Sequence, residues 1–478
     1  MDFLSVKGRH IVRADEKPII LKGVNIGGWM NMEDFINQYC GCESSYRKVM
    51  AQTIEKDKSE LFFNLMADYF FAEEDIIFLK ETGFNIVRLP LNYRHFESDS
   101  KPFEYLETGF ARLDGALSLL EKHGIYAILD MHSAQGWQNT DWHCDNAGRH
   151  SLFWSHVQYQ ERFRRLWREI AYRYKDRAVI AMYDLMNEPI ANARYGRFSS
   201  IYKPDWANFN KIYRESVNAI RKVDPKHIIL LEGDNFSVLF DGMEAPFAEN
   251  LAYSSHNYIP SGLEGSYPGI CCGEYWNLAK QHDVFYNSQG VQFALKYNVP
   301  LFVTEFGSAY NGDPDKTTDR LRSQDDQLAV FTEFGAHWTV WTYKDTGVMS
   351  LLTLAGDSEY IRLLKTAASK REELNTQFAI TWRGVNESRQ MSNDLADLIQ
   401  NAIDMPHIGS DGNRKYLAQS IFGEFAAIQL QPMFAAPFLG MSEEKIDDVL
   451  SAFSFSKCTH NSEHIQILQK YARKEENS

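Results

Sequence analysis

Two glutamates that follow strand-like apolar runs offer the pair of carboxyl groups used in glycosidic bond hydrolysis. Glu188 comes directly after the run 179–187, and Glu305 ends the run 300–305, 117 residues further along the chain. Hydrolysis of a glycoside needs a protonated carboxyl group at the leaving oxygen and a carboxylate at the anomeric carbon. The alternative interpretation is that Glu188 is only a loop residue and Glu305 a buried ion-pair partner.

Further polar and aromatic residues stand at the ends of the other apolar runs. A structural protein has no reason to gather such side chains at one place, so the whole set favours catalysis over the structural interpretation. A non-catalytic carbohydrate-binding barrel is the remote alternative. Loss of either glutamate would mark such a barrel, and both are present. The residues that accompany the two glutamates are Arg88, His132, Asn187, His256, Tyr258 and Trp341.

Eight strands alternating with amphipathic helices would bring these residues together. Near-continuous apolar runs are typical of buried parallel strands, and eight βα units predict an α/β fold, a (β/α)₈ TIM barrel. Catalytic residues of such barrels lie at the carboxyl ends of the strands. Gly27-Gly28 leads into Trp29 rather than into a helix, which argues against a dinucleotide-binding turn, and we expect no cofactor. The predicted strands are 20–25, 84–90, 125–132, 179–187, 227–232, 251–256, 300–305 and 337–341.

The chain is longer than a minimal barrel. We predict a catalytic barrel over residues 1–350, which starts with a hairpin of residues 3–12 against 17–22 and carries long top-face loops at 30–70 and 133–157. Residues 351–478 predict a helical C-terminal extension packed on the barrel, without an alternating β pattern. Loops of this length suit a closed pocket for the chain end rather than an open cleft.

Composition excludes several classes of partner. The 50 Lys and Arg against 64 Asp and Glu give a net charge of −14 with no dense basic stripe, which argues against nucleic acid. No apolar run is long enough to cross a bilayer, so no membrane association is expected. Residues 1–8 lack the features of a signal peptide, which predicts a cytoplasmic protein. The six cysteines lack zinc-site spacing, so free thiols and no metal are expected.

The motifs at the strand ends resemble glycoside hydrolase family 5, a family of retaining (β/α)₈ glycosidases. The resemblance rests on Arg88 in the second strand, Leu185-Met186-Asn187-Glu188-Pro189, His256-x-Tyr258 and Thr304-Glu305-Phe306-Gly307. It implies that Glu188 is the acid/base and Glu305 the nucleophile, with Asn187 on the 2-hydroxyl of the sugar in the −1 subsite. It also implies that Arg88 and Tyr258 hydrogen-bond Glu305, that His132 and His256 line the subsite and that Trp341 forms its floor.

Several residues near this centre have both a functional and a plain structural interpretation. Asp130 precedes His132 by two residues and is a candidate for orienting it, although His132 could be a core histidine and Trp341 ordinary packing. The loop after the third strand could clamp the leaving-group sugar or only pack locally. Its candidate residues are Trp137, Asp141, Trp142 and His143.

Chemistry and resemblance together predict a substrate class. A retaining pair should have carboxyl groups roughly 5–5.5 Å apart, and the pKa of Glu188 should be raised by its surroundings. A small oligosaccharide is the expected substrate, and residues 27–35 and the helical tail resemble an intracellular bacterial group that includes β-mannosidases acting on mannosyl-β-1,4-N-acetylglucosamine. A β-glucosidase or endo-β-1,4-glucanase is the alternative. A metal-dependent isomerase is disfavoured because no compact Asp/Glu/His set is predicted.

Overall fold

The computed structural model contains a closed barrel of eight parallel strands, which confirms the predicted fold. It describes residues 1–192, 202–310, 314–374, 376, 386–403, 417 and 419–473. The strands follow one another around the barrel in chain order, and the last pairs with the first. They are β1 Lys22–Asn25, β2 Ile86–Asn92, β3 Tyr126–Ser133, β4 Ile180–Asp184, β5 Ile228–Glu232, β6 Leu251–Ser254, β7 Leu301–Val303 and β8 His337–Val340.

Helices surround the barrel and link its strands. Several end at a glycine in the left-handed conformation, for example at Gly83 and Gly124. The longer linking helices are Glu43–Ile54, Lys56–Phe70, Glu73–Thr82, Glu107–His123, Val157–Tyr174, Trp206–Arg221, Leu278–Tyr286, Gln289–Tyr297 and Pro314–Phe334. The short ones are Asp34–Asn37, Asp234–Ser237 and Pro260–Leu263.

Alternation along the strands places apolar residues low in the barrel and polar residues at its top. Side chains two positions apart on a strand point to the same face. Ile86, Ile128, Met182 and Leu230 share one buried cluster with residues of the N-terminal segment. Two positions further along each of these strands stand Arg88, Asp130, Asp184 and Glu232, all fully buried. The inward-facing side chains of these strands are therefore apolar in the core, and the next inward-facing side chain along each strand belongs to the polar site.

The C-terminal extension packs against the long insertion between β1 and β2. The Tyr360 hydroxyl donates to the Asn37 carbonyl at 2.6 Å, and Arg371 Nη1 donates to the Tyr39 carbonyl at 2.6 Å. Gln431 Nε2 donates to the Cys40 carbonyl at 2.7 Å. The extension comprises Glu359–Glu373, Asn386–Ile403, a π-helix Gln419–Ala426, Ala427–Ala435, Glu443–Leu450 and Ser462–Ala472.

Three short segments differ from the sequence-based expectations: the N-terminal hairpin, one strand in the tail and one interrupted helix. The N-terminal hairpin is tighter than predicted, pairing Ser5–Lys7 with His10–Val12 because Gly8, at a φ of +60°, makes the turn. The tail is not wholly helical, since Cys458–His460 pairs with Leu352–Leu354. The apolar spacing of residues 284–297 predicts one helix, but these residues belong to two, because Ser288 caps a new helix that begins at Gln289. The other short strands are Lys344–Asp345, Glu97–Ser98 with Lys101–Tyr105, and Gly269–Cys271 with Glu274–Trp276.

Two further expectations can be compared with the described residues. All six cysteines are free thiols, as predicted. Within the described part of the chain, every helix is too short or too polar to cross a membrane. The division after residue 350 stays a prediction, and strands from both sides of it form one three-stranded sheet.

Candidate active site

Glu188 and Glu305 lie side by side at the carboxyl ends of β4 and β7. One carboxylate oxygen of each lies within 4.8 Å of the other. The two side chains are only 11 % and 6 % exposed. The separation fits a pair that works through a covalent intermediate, since inverting pairs stand roughly 6.5–9.5 Å apart to admit a water molecule.

Arg88 lies at the bottom of the site, and its guanidinium group is fully buried. Its Nη1 donates to Glu305 Oε1 at 2.8 Å and to Asn25 Oδ1 at 3.1 Å. Its Nη2 donates to Asn187 Oδ1 at 2.8 Å and to Glu232 Oε1 at 3.0 Å, while Nε donates to Asp184 at 2.9 Å. A planar cation with five donors suits this ring of acceptors, and its charge compensates the buried carboxylates around it.

Tyr258 and His256 complete the surroundings of the two glutamates. The Tyr258 hydroxyl donates to Glu305 Oε2 at 3.0 Å, so both oxygens of Glu305 are held. Burial, together with the charge of Glu305, raises the pKa of Tyr258 well above its usual value, which keeps this donor protonated. His256 Nδ1 lies 2.7 Å from Glu188 Oε1 and 3.7 Å from Glu305 Oε2.

The pKa of Glu188 differs from the sequence-based expectation. Burial alone would raise it, but the hydrogen bond to His256 and the charge of His143 lower the pKa of Glu188 to about 2. Burial likewise opposes protonation of His256, yet the carboxylates of Glu305 and Glu232 raise the pKa of His256 well above its usual value. The expectation rested on burial and on the charge of Glu305, and it left out the histidines, one of which contacts each oxygen of Glu188. In the free protein a proton is therefore shared within the His256–Glu188 pair.

Asn187 and His132 line the site next to Arg88. Since Asn187 Oδ1 accepts from Arg88, its amide nitrogen faces His132 Nε2 at 3.3 Å, and that ring nitrogen must accept. The ring proton then sits on His132 Nδ1, which lies 2.7 Å from Asp130 Oδ2. Burial lowers the pKa of His132 to about 3, so the ring is neutral near pH 7. Asp130 thus has the contact expected of a residue that orients His132.

Trp341 lies flat against His132 at the end of β8. The two rings stack with centroids 5.4 Å apart and an interplanar angle of 12°. The backbone nitrogen of Trp341 donates to the Phe306 carbonyl at 2.8 Å. A Cβ at Gly27 would lie 2.8 Å from the Trp341 ring, so the glycine gives room for this ring. An indole face at this position can stack on a sugar ring.

Of the four candidates on the loop after β3, His143 contacts one of the two glutamates. Its Nε2 lies 3.2 Å from Glu188 Oε2. The Trp137 indole donates to the Asp145 carbonyl at 2.8 Å, within its own loop. Asp141 lies 3.6 Å from Arg149, and Trp142 packs edge-on against Phe35. A role in substrate binding stays a prediction for all four residues.

Sequence reasoning missed Asp184, which accepts from Arg88 Nε, and two further carboxyl groups of the site. Glu232 ends β5, and the strand-end rule could have found it. Its Oε1 accepts from Arg88, and its Oε2 accepts from the backbone nitrogen of Glu188 at 2.8 Å. That bond supports Glu188 at a φ of +47°, an uncommon conformation for a residue with a side chain. Glu33 comes from the loop after β1, beyond any strand end, and lies 3.6 Å from His132.

The expectation that this face lacks a compact set of metal-ligating residues is wrong. Ligand atoms of Glu188, His256 and Glu305 all lie within 4.8 Å of one another. The same atoms are already engaged, because His256 bonds Glu188 while Arg88 and Tyr258 bond Glu305. The cationic Arg88, 2.8 Å from Glu305, also repels a second cation. The geometry favours a hydrogen-bonded acid–base cluster over a metal centre.

Comparisons with known proteins identify relatives of the chain. A family model described as Cellulase (glycosyl hydrolase family 5) matches residues 48–347. A β-xylosidase from Phanerodontia chrysosporium is 33% identical over 478 residues, which cover 96% of each chain. Endoglucanase C from Acetivibrio thermocellus is 24% identical over 67% of this chain and 90% of its own. The solved structure of a hyperthermophilic endo-β-1,4-glucanase in complex with substrate matches in fold, with a TM-score of 0.50, 19% identity and coverage of 70% of this chain and 91% of its own.

Proposed function

Because this chain belongs to glycoside hydrolase family 5 and is a glycoside hydrolase, we propose that it is a retaining β-glycosidase that releases single sugars from short β-linked oligosaccharides. The observation that carries the proposal is the Glu188–Glu305 pair, whose nearest oxygens lie within 4.8 Å. Glu305 is the nucleophile, since Arg88 and Tyr258 hold both of its oxygens as a carboxylate. Glu188 is the acid and later the base, since it shares a proton with His256.

The remaining residues position the sugar and the two glutamates. Asn187 and Glu305 are both bound by Arg88, so the Asn187 amide lies beside the position of the anomeric carbon, where it meets the 2-hydroxyl. A hydrogen bond to that hydroxyl strengthens in the oxocarbenium-like transition state. His132 lines the same pocket, and Trp341 forms its floor.

The sugar is the finer part of the proposal. A full-length relative named β-xylosidase supports removal of terminal sugars and puts a β-xyloside first. Endoglucanase C supports the second candidate, action on β-1,4-glucans. The β-mannoside preference expected from the sequence has no support among these relatives and comes third. A panel of 4-nitrophenyl β-xyloside, β-glucoside and β-mannoside ranks the three by kcat/KM, and faster cleavage of the mannoside would reverse our order.

Variants of the two glutamates test the mechanism with azide. Glu305→Ala should be nearly inactive, because no covalent intermediate forms without the nucleophile, and azide should then give the α-glycosyl azide by a single inversion. Glu188→Ala should still form the intermediate from a dinitrophenyl glycoside but hydrolyse it slowly. Azide needs no base, so it should speed this variant and give the β-glycosyl azide. Near wild-type activity of Glu188→Ala on natural glycosides, without azide rescue, would contradict the assignment.

Chelation separates this mechanism from metal catalysis. Excess EDTA followed by dialysis should leave kcat/KM unchanged, because the proposed steps use only carboxyl groups. A loss of activity that a divalent cation restores would favour a metal bound by Glu188, His256 and Glu305 instead.

A further inference from the structure

Glu33 is a carboxyl group of the pocket to which the mechanism assigns no task. Its side chain is 4 % exposed, and its Oε1 lies 3.6 Å from His132 Nε2. Within the part of the chain that the structure describes, no group hydrogen-bonds this carboxyl group. Its backbone is fixed, since the Glu33 nitrogen donates to Asn37 Oδ1 and the Glu33 carbonyl accepts from the backbone of Ile36. A buried carboxyl group without a partner is costly, which indicates that a ligand supplies the partner.

The position of Glu33 relative to its neighbours indicates which part of the sugar it meets. Asn187 Nδ2 lies 3.3 Å from His132 Nε2, and His132 Nε2 lies 3.6 Å from Glu33 Oε1. These three side chains thus follow one another at about the spacing of neighbouring ring hydroxyls. If Asn187 meets the hydroxyl on C2, His132 meets the one on C3 and Glu33 the one on C4.

The order of the strands supports the same orientation. Glu188 follows β4 and must face the leaving group, so the far side of the sugar points to the opposite wall of the barrel. That wall is formed by β8 and β1, because the strands follow chain order around the closed barrel. Trp341 directly follows β8, and Glu33 lies in the loop after β1. Glu33 therefore stands at the end of the −1 sugar that is remote from the cleaved bond.

The loop that carries Glu33 is covered from outside. Every residue from 21 to 43 is buried. The extension covers this segment through Tyr360, Arg371 and Gln431, which bond its backbone carbonyls. Glu424 of the extension lies 3.4 Å from Cys42 Sγ. An endo-acting cleft would need an open path here for the next sugar of the chain, and this wall closes it.

We propose that Glu33 binds the C4 hydroxyl of the −1 sugar and that, together with the wall of residues 21–43, it restricts cleavage to the terminal sugar. In a β-1,4-linked chain only the terminal residue has this hydroxyl free, so the contact distinguishes the chain end from its interior. The inference rests on the proposed glycosidase function. It is independent of the sugar's identity, because xylose, glucose and mannose share the C4 configuration.

A pair of substrates tests the contact directly. We expect the wild-type protein to hydrolyse the 4-nitrophenyl glycoside of its preferred sugar about 10- to 100-fold faster, by kcat/KM, than the 4-deoxy analogue. In Glu33→Ala the two substrates should be hydrolysed at similar rates, because the partner of the hydroxyl is gone. Glu33→Gln should keep most of the ratio, since an amide also donates and accepts.

The matched control is Glu424→Gln, which changes a buried carboxyl group that contacts the same loop from outside. Any effect of this variant should fall equally on both substrates and leave their ratio unchanged. If Glu33→Ala only disturbed the loop, it too would lower both rates equally and leave the ratio of the two substrates at its wild-type value. A wild-type ratio in Glu33→Ala therefore contradicts the proposal. Should Glu33→Ala fail to fold, the wild-type ratio and Glu33→Gln still decide the matter.

The order of products gives a second readout on the wild-type protein. With a 4-nitrophenyl β-1,4-bioside, we expect monosaccharide and 4-nitrophenyl monoside first, and nitrophenol only after a lag. Immediate release of nitrophenol together with intact disaccharide would show that a C4-substituted sugar enters the −1 subsite. This result would overturn the inference about Glu33 but not the proposed function. Absence of turnover on every glycoside of the panel would instead reject the proposed function.

Discussion

The charge balance of the site depends on Arg88, a fully buried cation among buried carboxylates. It contacts Asp184, Glu232 and Glu305 at 2.9, 3.0 and 2.8 Å. Lysine would keep the charge but has one nitrogen where the guanidinium group offers a planar set of donors. We expect Arg88→Lys to lower kcat/KM by at least about 100-fold and to lower the melting temperature, because several acceptors lose their donor.

Steady-state kinetics and calorimetry on the same preparation of Arg88→Lys check both effects. The matched control is Arg94→Lys, which changes an arginine outside the catalytic cluster that pairs with Asp145 at 2.9 Å. Its kcat/KM should stay within a few-fold of wild type. Full activity of Arg88→Lys would mean that charge alone, without the directed hydrogen bonds to Glu305 and Asn187, organises the site.

His256 should set the basic limb of the pH profile of kcat/KM. Its pKa is raised well above 6.5 by the surrounding carboxylates, so the His256–Glu188 pair loses its proton only above that value. In His256→Gln the proton must sit on Glu188 alone, and carboxyl groups lose their proton at lower pH than such a histidine. We therefore expect the basic limb of kcat/KM to move by about one pH unit or more toward acid.

The leaving group supplies the control for this pH effect. A dinitrophenyl glycoside needs no proton to depart, so its kcat/KM should show no such shift between wild type and His256→Gln. If the basic limb stays in place for a natural glycoside, then His256 does not share the catalytic proton, and its contact with Glu188 is only structural.

At the scale of elements, the strands were the most predictable part of the molecule. Their near-continuous apolar runs and the polar residues at their ends follow from burial on both faces of a barrel wall, so every predicted strand overlaps an observed one. The strand-end rule also found the two glutamates and their closest partners. Glu232 obeys the same rule and could have been included.

Loops and the tail were less predictable, because their positions depend on contacts distant in sequence. Glu33 belongs to a loop whose path is set by residues more than 300 positions later, such as Tyr360 and Arg371. The strand Cys458–His460 has too few residues to show alternation, and it forms because Leu352–Leu354 offers a free edge. The lowered pKa of Glu188 likewise depends on the hydrogen bond from His256 and on the charge of His143, whose positions beside Glu188 no local pattern gives.

Lys344 joins several elements through one buried amine. Its Nζ lies 2.6 Å from Asp75 Oδ1 and donates to the carbonyls of Phe70 and Phe453, at 2.8 and 2.9 Å. Two helices of the β1–β2 insertion, the segment after β8 and the extension thus meet at this residue. We expect Lys344→Met to lower the free energy of unfolding by about 3–5 kcal/mol, because Asp75 is left as an uncompensated buried charge.

Denaturant unfolding of Lys344→Met, and of the double variant with Asp75→Asn, measures this effect. Removing the second charge should recover part of the loss, since an amide is cheaper to bury than a carboxylate. Equal losses in the single and double variants would show that the lost hydrogen bonds to the two carbonyls, rather than the unpaired charge, cause the destabilisation.

At the scale of the whole molecule, the extension and the barrel share their core. A single buried cluster includes Phe62 and Phe70 of the insertion, Phe438 and Phe453 of the extension and Trp338 of β8. Phe62 packs edge-on against Phe438 with ring centroids 4.8 Å apart. Tyr471, in the last helix, accepts a hydrogen bond from Lys22 of β1 at its carbonyl. Removing the extension would expose this surface to water.

We therefore expect the full chain to unfold in one calorimetric transition, with the calorimetric and van't Hoff enthalpies equal, although its length would allow separate transitions. A ligand of the −1 subsite should raise this one transition as a whole, because the wall behind Glu33 and the extension are lost together. A chain ending at residue 356 should be insoluble or lack a cooperative transition. Two resolved transitions, only one of which responds to the ligand, would instead mean that the extension is a separate unit and that the pocket wall stands without it.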